Sequence, residues 1–203
     1  MNDIRPFIIT SLPFWAIVFC LYFFLGSEEK IYLFFTAFRP EHPGLTTFFT
    51  LLTDWGNAFF YVVYSTLLIR GLVKKEKSLI LLCGYYILFQ LVISFFVVRV
   101  LKISIGRPRP GMGDQFHPFS IQNKFNSLPS GHTAEIFGAI LPLALWRRKN
   151  IICLVLGCFG TLLAFSRVYL GEHHPSDLIL GYFLGSLSGF LIFTFWKKKN
   201  ADR

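Results

Sequence analysis

The sequence predicts an all-α integral membrane protein: a bundle of six transmembrane helices that forms one domain over residues 1–203. Composition is the first indication, because 54 % of the residues are hydrophobic, only 15 % are charged and the mean hydropathy is +0.55. The second is that apolar runs recur along the chain at close to the length a helix needs to cross the hydrocarbon core of a bilayer. The third is that basic residues cluster in alternate connections between these runs.

Six apolar runs are the candidate spans. Backbone N–H and C=O groups in lipid must bond within their own segment, so each run is predicted to be a helix. In chain order the runs are Pro6–Leu25, Thr46–Ile69, Ser78–Leu101, Thr133–Trp146, Asn150–Phe165 and Asp177–Trp196. The fourth and fifth are short, so we expect their ends near the interface or shielded by protein. The first is interpreted as an uncleaved helix, because MNDIR is weakly basic and no A-x-A-like site follows.

The basic residues predict an orientation. Twelve of the 20 lie on the side that also holds both termini: Arg5, Arg70, Lys74, Lys75, Lys77, Arg147, Arg148, Lys149, Lys197, Lys198, Lys199 and Arg203. Cytoplasmic loops are enriched in Lys and Arg, so both termini are predicted to face the cytoplasm. The formal charge of +9 is then mostly a consequence of topology, and no nucleic-acid partner is expected.

Three polar stretches fall on the opposite side of the predicted bundle. KISIGRPRP (102–110) follows the third span, LPSGHT (128–133) precedes the fourth, and SRVYLGEHHPSD (166–177) joins the fifth to the sixth. Their cations and titratable groups are Lys102, Arg107, Arg109, His132, Arg167, His173, His174 and Asp177. Guanidinium forks match the oxygens of a tetrahedral anion, so these stretches together predict a phosphate-binding site.

Two predicted helix starts strengthen this interpretation. PSGH precedes the fourth span, so its backbone N–H groups lie at a helix N-terminus, which favours anions. Gly131 has no side chain, so an anion can come close to the backbone there. Pro175 is expected to begin the sixth span. His173 then lies just outside that helix and Asp177 lies in its first turn, from where the carboxylate can reach the imidazole and fix its tautomer.

No metal and no cofactor are expected. The histidines and acids lack the HEXXH spacing of zinc proteases, and the nearby cations repel a divalent ion. The cysteines lie inside apolar runs without CxxC spacing and are interpreted as small core residues. These are Cys20, Cys83, Cys153 and Cys158.

The three stretches resemble the signature of the type 2 phosphatidic acid phosphatases (PAP2), which reads K-x6-RP, PSGH and SR-x5-H-x3-D. Here the matches are Lys102 to Pro110, Pro129 to His132 and Ser166 to Asp177, complete and in order. The resemblance implies a PAP2/haloperoxidase-like helical core. It also implies a membrane enzyme that hydrolyses a phosphate monoester or diphosphate of a lipid without a metal.

The resemblance also implies a role for each residue. His173 would attack phosphorus and form a phosphohistidine that water then hydrolyses, with Asp177 orienting the ring. His132 would protonate the departing lipid oxygen. The phosphoryl oxygens would be held by Lys102, Arg109, Ser130, Gly131 and Arg167.

The substrate and the reaction acceptor stay open. Candidate substrates are undecaprenyl diphosphate, phosphatidylglycerol phosphate, phosphatidic acid and the phosphates of lipid A. Alternatives are a lipid phosphotransferase with the same phosphohistidine, and a transporter or channel for anionic lipids with the cations as its binding site. Six lipid spans argue against a vanadate haloperoxidase. The expected location is a bacterial inner membrane with the site on the periplasmic side, and the oligomeric state is not predicted.

Several further polar residues have more than one interpretation. Arg107 would touch either the phosphate or the lipid headgroup. Glu135 lies in the first turn of the fourth span, where the helix dipole favours an acid; the alternative is that it tunes His132. Asp54 and Arg99 are a possible intramembrane pair. Residues 31–40 are predicted to form an interfacial helix, with a substrate gate as the alternative, and His174 is interpreted as a neighbour of the helix cap.

Overall fold

The computed structural model describes residues 3–201, and all regular secondary structure in that range is helical, which confirms the predicted fold class. Arg203, one of the basic residues used to predict orientation, lies outside this range. The helices are α1 (Ile4–Leu25), α2 (Glu28–Phe38), α3 (Pro43–Lys74), α4 (Lys77–Phe89), α5 (Val98–Ile105), α6 (Gly131–Arg147), α7 (Asn150–Tyr169) and α8 (Pro175–Ala201). A π-helical segment, Gln90–Val97, joins α4 to α5 into one continuous helix.

Five helical segments between residues 3 and 201 are long and apolar enough to cross a membrane: α1, α3, the continuous segment Lys77–Ile105, α7 and α8. The chain is therefore a multi-pass membrane protein. The predicted fourth span corresponds to α6, which has 17 residues and is buried along most of its length. The predicted count of six is thus confirmed for five spans, while α6 is a short central helix that other helices surround.

The outer surface of the bundle is strongly apolar. Large hydrophobic side chains remain exposed on α1, α3 and the π-helical segment, which is the arrangement expected where lipid replaces water. Examples are Phe23, Phe24, Trp55, Val73 and Phe95.

Glycines on α8 allow it to pack closely against α6. A methyl group added at Gly181 would lie 2.5 Å from the backbone oxygen of Ser130, and one added at Gly189 would lie 2.8 Å from Cβ of Leu141. Small residues at such interfaces let helix backbones approach each other. As a result the starts of α6 and α8 adjoin, and Ser130 donates its backbone N–H to the carbonyl of Asp177 at 3.0 Å.

The segments predicted to be cytoplasmic share one end of the bundle. Asp3 pairs with Arg148, which follows α6, and with Lys197 near the end of α8, where Nζ and Oδ2 are 2.9 Å apart. The indole N–H of Trp196 donates to the carbonyl of Ser78 at 2.9 Å. The three polar stretches are at the other end.

A helix is present where the interfacial helix was predicted, since α2 covers positions 31–38 of the predicted range 31–40. Ser27 is its N-cap and accepts a hydrogen bond from the backbone N–H of Lys30, which is the standard way to satisfy a free helix donor. Ile31 and Phe35 anchor α2 in the core. This anchoring places Glu28, in the first turn of α2, beside the polar end of α8.

Candidate active site

The three polar stretches meet around the starts of α6 and α8. A methyl group added at Gly131 would come within 4.0 Å of Lys102 Cε, so the second stretch lies beside the first. The Ser130–Asp177 backbone bond joins the second to the third. A backbone hydrogen bond within the loop after α5 holds that loop in place: the N–H of Arg109 donates to the carbonyl of Lys124 at 2.8 Å.

His173 and Asp177 form a buried pair. Nδ1 of His173 lies 3.3 Å from Oδ2 of Asp177, and the side chains are only 2 % and 0 % exposed. Because the carboxylate faces Nδ1, this nitrogen carries the proton and Nε2 keeps its lone pair. The predicted contact across the helix start is therefore present, and the helix begins at Pro175 as expected.

Burial lowers the pKa of His173 to about 4, and the charges of Lys102 and Arg167 add to this effect. The hydrogen bond and the charge of Asp177 oppose it. The imidazole is therefore neutral at ordinary pH, which is the form that can act as a nucleophile.

Asp177 has partners on both carboxylate oxygens. Arg107 Nη1 donates to Oδ1 at 2.6 Å, while the Ser127 hydroxyl and the His174 backbone N–H donate to Oδ2 at 2.5 and 2.9 Å. A buried charge is tolerated only when it is paired and hydrogen-bonded, and Asp177 meets both conditions. These contacts fix the carboxylate that faces His173.

Arg107 links this carboxylate to α2. Its Nη2 donates to Glu28 Oε2 at 2.6 Å, and Nη1 also reaches the hydroxyl of Ser176 at 2.6 Å. Glu28 Oε1 accepts from the Ser176 backbone N–H and the Tyr22 hydroxyl, each at 3.0 Å. The structure thus places Arg107 between two carboxylates, and neither sequence interpretation of Arg107 included this arrangement.

Glu28 is a site residue that sequence reasoning missed. Burial raises its pKa, but the hydrogen bonds from Ser176 and the charge of Arg107 outweigh this effect and hold the pKa below its usual value. Glu28 is therefore ionised. The only sequence signal was an acid in the first turn of a helix, which is common at helix N-termini and indicates no partner.

A neutral acceptor orients each predicted phosphate-binding cation. Lys102 Nζ donates to the carbonyl of Asn126 at 2.5 Å. Arg109 Nε donates to the carbonyl of Asn123 at 3.0 Å, and Arg167 Nη1 donates to the hydroxyl of Thr53 at 2.9 Å. Pre-oriented donors of this kind stabilise charge on a bound anion without reorganising.

The two arginines converge on one carboxylate oxygen. Arg109 Nη1 contacts Oε2 of Glu172, and Arg167 Nη2 lies 3.6 Å from the same atom. Arg109 comes from the loop after α5 and Arg167 from the last turn of α7, so an anion bridges the first and third stretches. Sequence reasoning missed Glu172, since it occupies one of the variable x5 positions of the signature.

Ser130 and His132 of the PSGH motif have different surroundings. Ser130 is the N-cap of α6: its hydroxyl oxygen accepts from the Thr133 backbone N–H at 3.4 Å and from the Thr133 hydroxyl at 2.9 Å. His132 is partly exposed and lies within electrostatic reach of the site. The positively charged side chains that act on it are Arg167, Lys102 and Arg109.

The polar residues with open roles are placed as follows. Glu135 accepts from Asn57 Nδ2 at 2.9 Å and from the Tyr61 hydroxyl, so its carboxylate belongs to a polar cluster with α3. Asp54 and Arg99 form no ion pair with each other in the part of the chain that the structure describes. His174 Nε2 lies 3.3 Å from the carbonyl of Pro108.

The charge of the site suits an anion. Residues 3–201 contain no group of three His, Cys, Asp or Glu side chains placed to hold a metal ion. The charges of Lys102 and Arg167 act on His173, and those of Lys102, Arg109 and Arg167 act on His132 in the first turn of α6. Such a set of donors can bind a phosphoryl group and stabilise negative charge that builds on it.

Comparison with known proteins gives matches over most of the chain. The model of the PAP2 superfamily matches residues 83–201. A lipid A 1-phosphatase of Rhizobium johnstonii is 32 % identical over 159 residues, which are 67 % of this chain and 62 % of that protein. The phosphatidylglycerophosphatase B of Bacillus subtilis is 30 % identical over 168 residues, 78 % of each chain.

Other relatives carry different substrate names. The undecaprenyl-diphosphatase BcrC of Bacillus subtilis is 26 % identical over 152 residues, 74 % of this chain and 75 % of that protein. The chain therefore spans less than two thirds of the lipid A 1-phosphatase but three quarters or more of the two Bacillus proteins.

A solved structure has the same fold. The crystal structure of a transmembrane PAP2 type phosphatidylglycerolphosphate phosphatase from Bacillus subtilis superimposes with a TM-score of 0.65. The superposition covers 93 % of this chain and 96 % of that chain at 24 % sequence identity.

Proposed function

The chain belongs to the PAP2 superfamily, and we propose that it is a membrane lipid-phosphate phosphatase that acts through a phosphohistidine intermediate without a metal. The observation that carries the proposal is the buried His173–Asp177 pair next to two arginines that converge on one anion position. A neutral imidazole beside a cationic anion-binding position is the arrangement that nucleophilic phosphoryl transfer requires.

In the first step the lone pair on Nε2 of His173 forms a bond to phosphorus, and the bond from phosphorus to the lipid oxygen breaks. The electron pair of that bond goes to the lipid oxygen, which takes a proton from His132. Asp177 holds the Nδ1 proton and stabilises the positive charge that the ring acquires.

In the second step a water molecule attacks the phosphorus of phosphohistidine. His132 takes the proton from the water, and the electrons of the N–P bond return to Nε2 of His173. The products are inorganic phosphate and a lipid that carries one phosphoryl group fewer. Lys102, Arg109, Arg167 and the N–H of Gly131 hold the non-bridging oxygens through both steps.

The substrate class that we propose is a membrane lipid with a terminal phosphate or diphosphate. Relatives named for undecaprenyl diphosphate and for phosphatidylglycerophosphate support it, since both names describe such lipids. Lipid A is the second candidate, because two relatives at 32 % identity are named lipid A 1-phosphatase.

We further propose that the protein lies in a bacterial inner membrane with both termini in the cytoplasm. The basic residues at one end of the bundle support this orientation. It places His173 at the periplasmic face, where a lipid phosphate in the outer leaflet can reach it.

The test is a phosphate-release panel of the candidate lipids in detergent, with and without EDTA. Wild type is compared with His173→Ala and with the matched control His174→Ala, which removes the neighbouring imidazole outside the signature. We expect phosphate release from at least one lipid, no effect of EDTA, a loss of at least about 10³-fold in His173→Ala and most activity kept in His174→Ala.

Each contrary result removes a defined part of the proposal. Wild-type turnover in His173→Ala would remove the phosphohistidine, and loss of activity in EDTA would remove the metal-free mechanism. Phosphorylated lipid products in place of inorganic phosphate would indicate a phosphotransferase. Lipid transport that survives in His173→Ala, without hydrolysis in wild type, would indicate a transporter.

A further inference from the structure

Glu172 occupies the place between Arg109 and Arg167 where a bound anion would lie. One oxygen, Oε2, contacts Nη1 of Arg109 and lies 3.6 Å from Nη2 of Arg167. A carboxylate and a phosphoryl group both bind arginine forks through their oxygens. The structure therefore contains an internal anion that competes for the same donors as the phosphoryl group of a substrate.

Only the side chain of Glu172 is free to leave this place. Its backbone N–H donates to the carbonyl of Arg167 at 2.9 Å, and the next N–H, of His173, donates to the same carbonyl at 3.1 Å. The side chain is 40 % exposed. A rotation about its side-chain bonds moves the carboxylate into solvent without disturbing His173.

The two arginines keep their orientation when Glu172 leaves. Arg109 is held through Nε by the carbonyl of Asn123, and Arg167 is held through Nη1 by the hydroxyl of Thr53. The donors that Glu172 releases, Nη1 of Arg109 and Nη2 of Arg167, then face the vacated position. Displacement therefore exposes a formed anion site.

We propose that Glu172 is a specificity-determining residue whose carboxylate fills the phosphoryl position of the empty enzyme and admits only phosphate groups with two negative charges. This rests on the proposed function, since it assumes that Arg109 and Arg167 bind the phosphoryl group. A dianion gains more from the arginines than the single charge of Glu172, whereas a phosphodiester, with one charge, gains nothing in the exchange. The bulk phosphodiester lipids of the membrane are thereby excluded.

Binding of small soluble anions tests the proposal without any need for turnover. The probes are inorganic phosphate and dimethyl phosphate, titrated by calorimetry into the full-length protein in detergent at about pH 8, where phosphate is mostly the dianion. The variants are Glu172→Gln and Glu172→Ala. The matched control is Glu29→Gln, which removes an equal charge from an exposed position on α2.

We expect both Glu172 variants to bind phosphate about tenfold more tightly than wild type, which corresponds to 1.4 kcal/mol. Dimethyl phosphate should bind measurably only to the Glu172 variants, and Glu29→Gln should stay within about twofold of wild type. Phosphate affinity in both Glu172 variants equal to or weaker than wild type would overturn the proposal. Equal tightening in Glu29→Gln would overturn it too, since the effect would then be long-range charge.

These results are separable from the outcome of the phosphatase test. If His173→Ala retains turnover while both Glu172 variants bind phosphate more tightly than wild type, the phosphohistidine mechanism fails and the role of Glu172 stands. If His173→Ala loses turnover and the Glu172 variants bind phosphate no better than wild type, the role of Glu172 fails while the proposed function stands.

Discussion

Arg107 donates from Nη1 to Oδ1 of Asp177 at 2.6 Å, so an arginine outside the fixed positions of the signature holds the carboxylate that faces His173. The opposite amino group of the same guanidinium is bound to Glu28 at 2.6 Å. Both terminal nitrogens of Arg107 are bound to carboxylates. Arg107 therefore contacts Asp177, which contacts His173, and its guanidinium is not directed at the phosphoryl group. It is a positioning residue that acts through Asp177.

Arg107→Gln is expected to lower kcat by about 100-fold and to change KM by less than about threefold. The physical reason is that breaking a buried, hydrogen-bonded charge pair is costly, while no contact to the phosphoryl group is lost. Steady-state kinetics on a hydrolysed lipid phosphate check this. Arg109→Gln is the matched comparison and should raise KM, because Arg109 faces the anion position. An Arg107→Gln enzyme with raised KM and unchanged kcat would place Arg107 on the substrate instead.

Glu28→Gln is expected to lower kcat by about tenfold, since Arg107 loses one of its two acids but keeps Asp177. The substitution also changes how the stability of the fold depends on pH. The pKa of Glu28 in the folded protein lies below its usual value of about 4.3. The stabilisation of the fold by the Glu28 charge is therefore present above that pH and is lost as pH falls through the folded-state pKa.

Thermal unfolding in detergent measures this second effect. Wild type should have a higher Tm than Glu28→Gln near neutral pH, and the difference should shrink on acidification below about pH 4. Glu29→Gln, an exposed acid one residue along α2, should show neither effect. A constant Tm difference at all pH values would mean that Glu28 stabilises the fold without its charge.

His173 is expected to stay neutral well below the pH at which an ordinary histidine gains a proton. Its pKa is lowered to about 4, so the nucleophilic form is present above that pH and is lost as pH falls through it. NMR titration of ring-labelled histidines in detergent measures this, with His173→Gln to assign the signal. A midpoint near the ordinary value of about 6.5 would show that the ring is hydrated and not desolvated.

Gly181→Ala is expected to destabilise the protein and reduce activity, because the added methyl group would meet the carbonyl of Ser130 at 2.5 Å. Separation of α8 from α6 would also move Asp177 away from the PSGH turn. We expect a loss of about 1–3 kcal/mol, the usual cost of overpacking. Gly84→Ala is the control, since nothing lies within 4 Å of the added methyl group; equal losses of stability from both changes would show that the clash with Ser130 is not the cause.

The sequence by itself determined the features that depend on local order along the chain. Apolar runs predict helices in lipid because their backbone must bond internally, and the observed helices cover all six predicted runs. The starts at Gly131 and Pro175 follow from the cap chemistry of Ser130 and the backbone geometry of proline. The spacing from His173 to Asp177 crosses one such start, so their contact could also be predicted.

Only the tertiary structure decided which distant side chains share a contact. Glu28 lies 79 residues from Arg107, and Ser127 lies 50 residues from Asp177; neither position carries a pattern that names its partner. The burial of α6 was also decided by the tertiary structure: its composition resembles that of a lipid-facing span, but neighbouring helices cover it. The physical reason is that such contacts depend on how closely α6 and α8 pack and where α2 docks, and these are set by shape complementarity across the whole bundle.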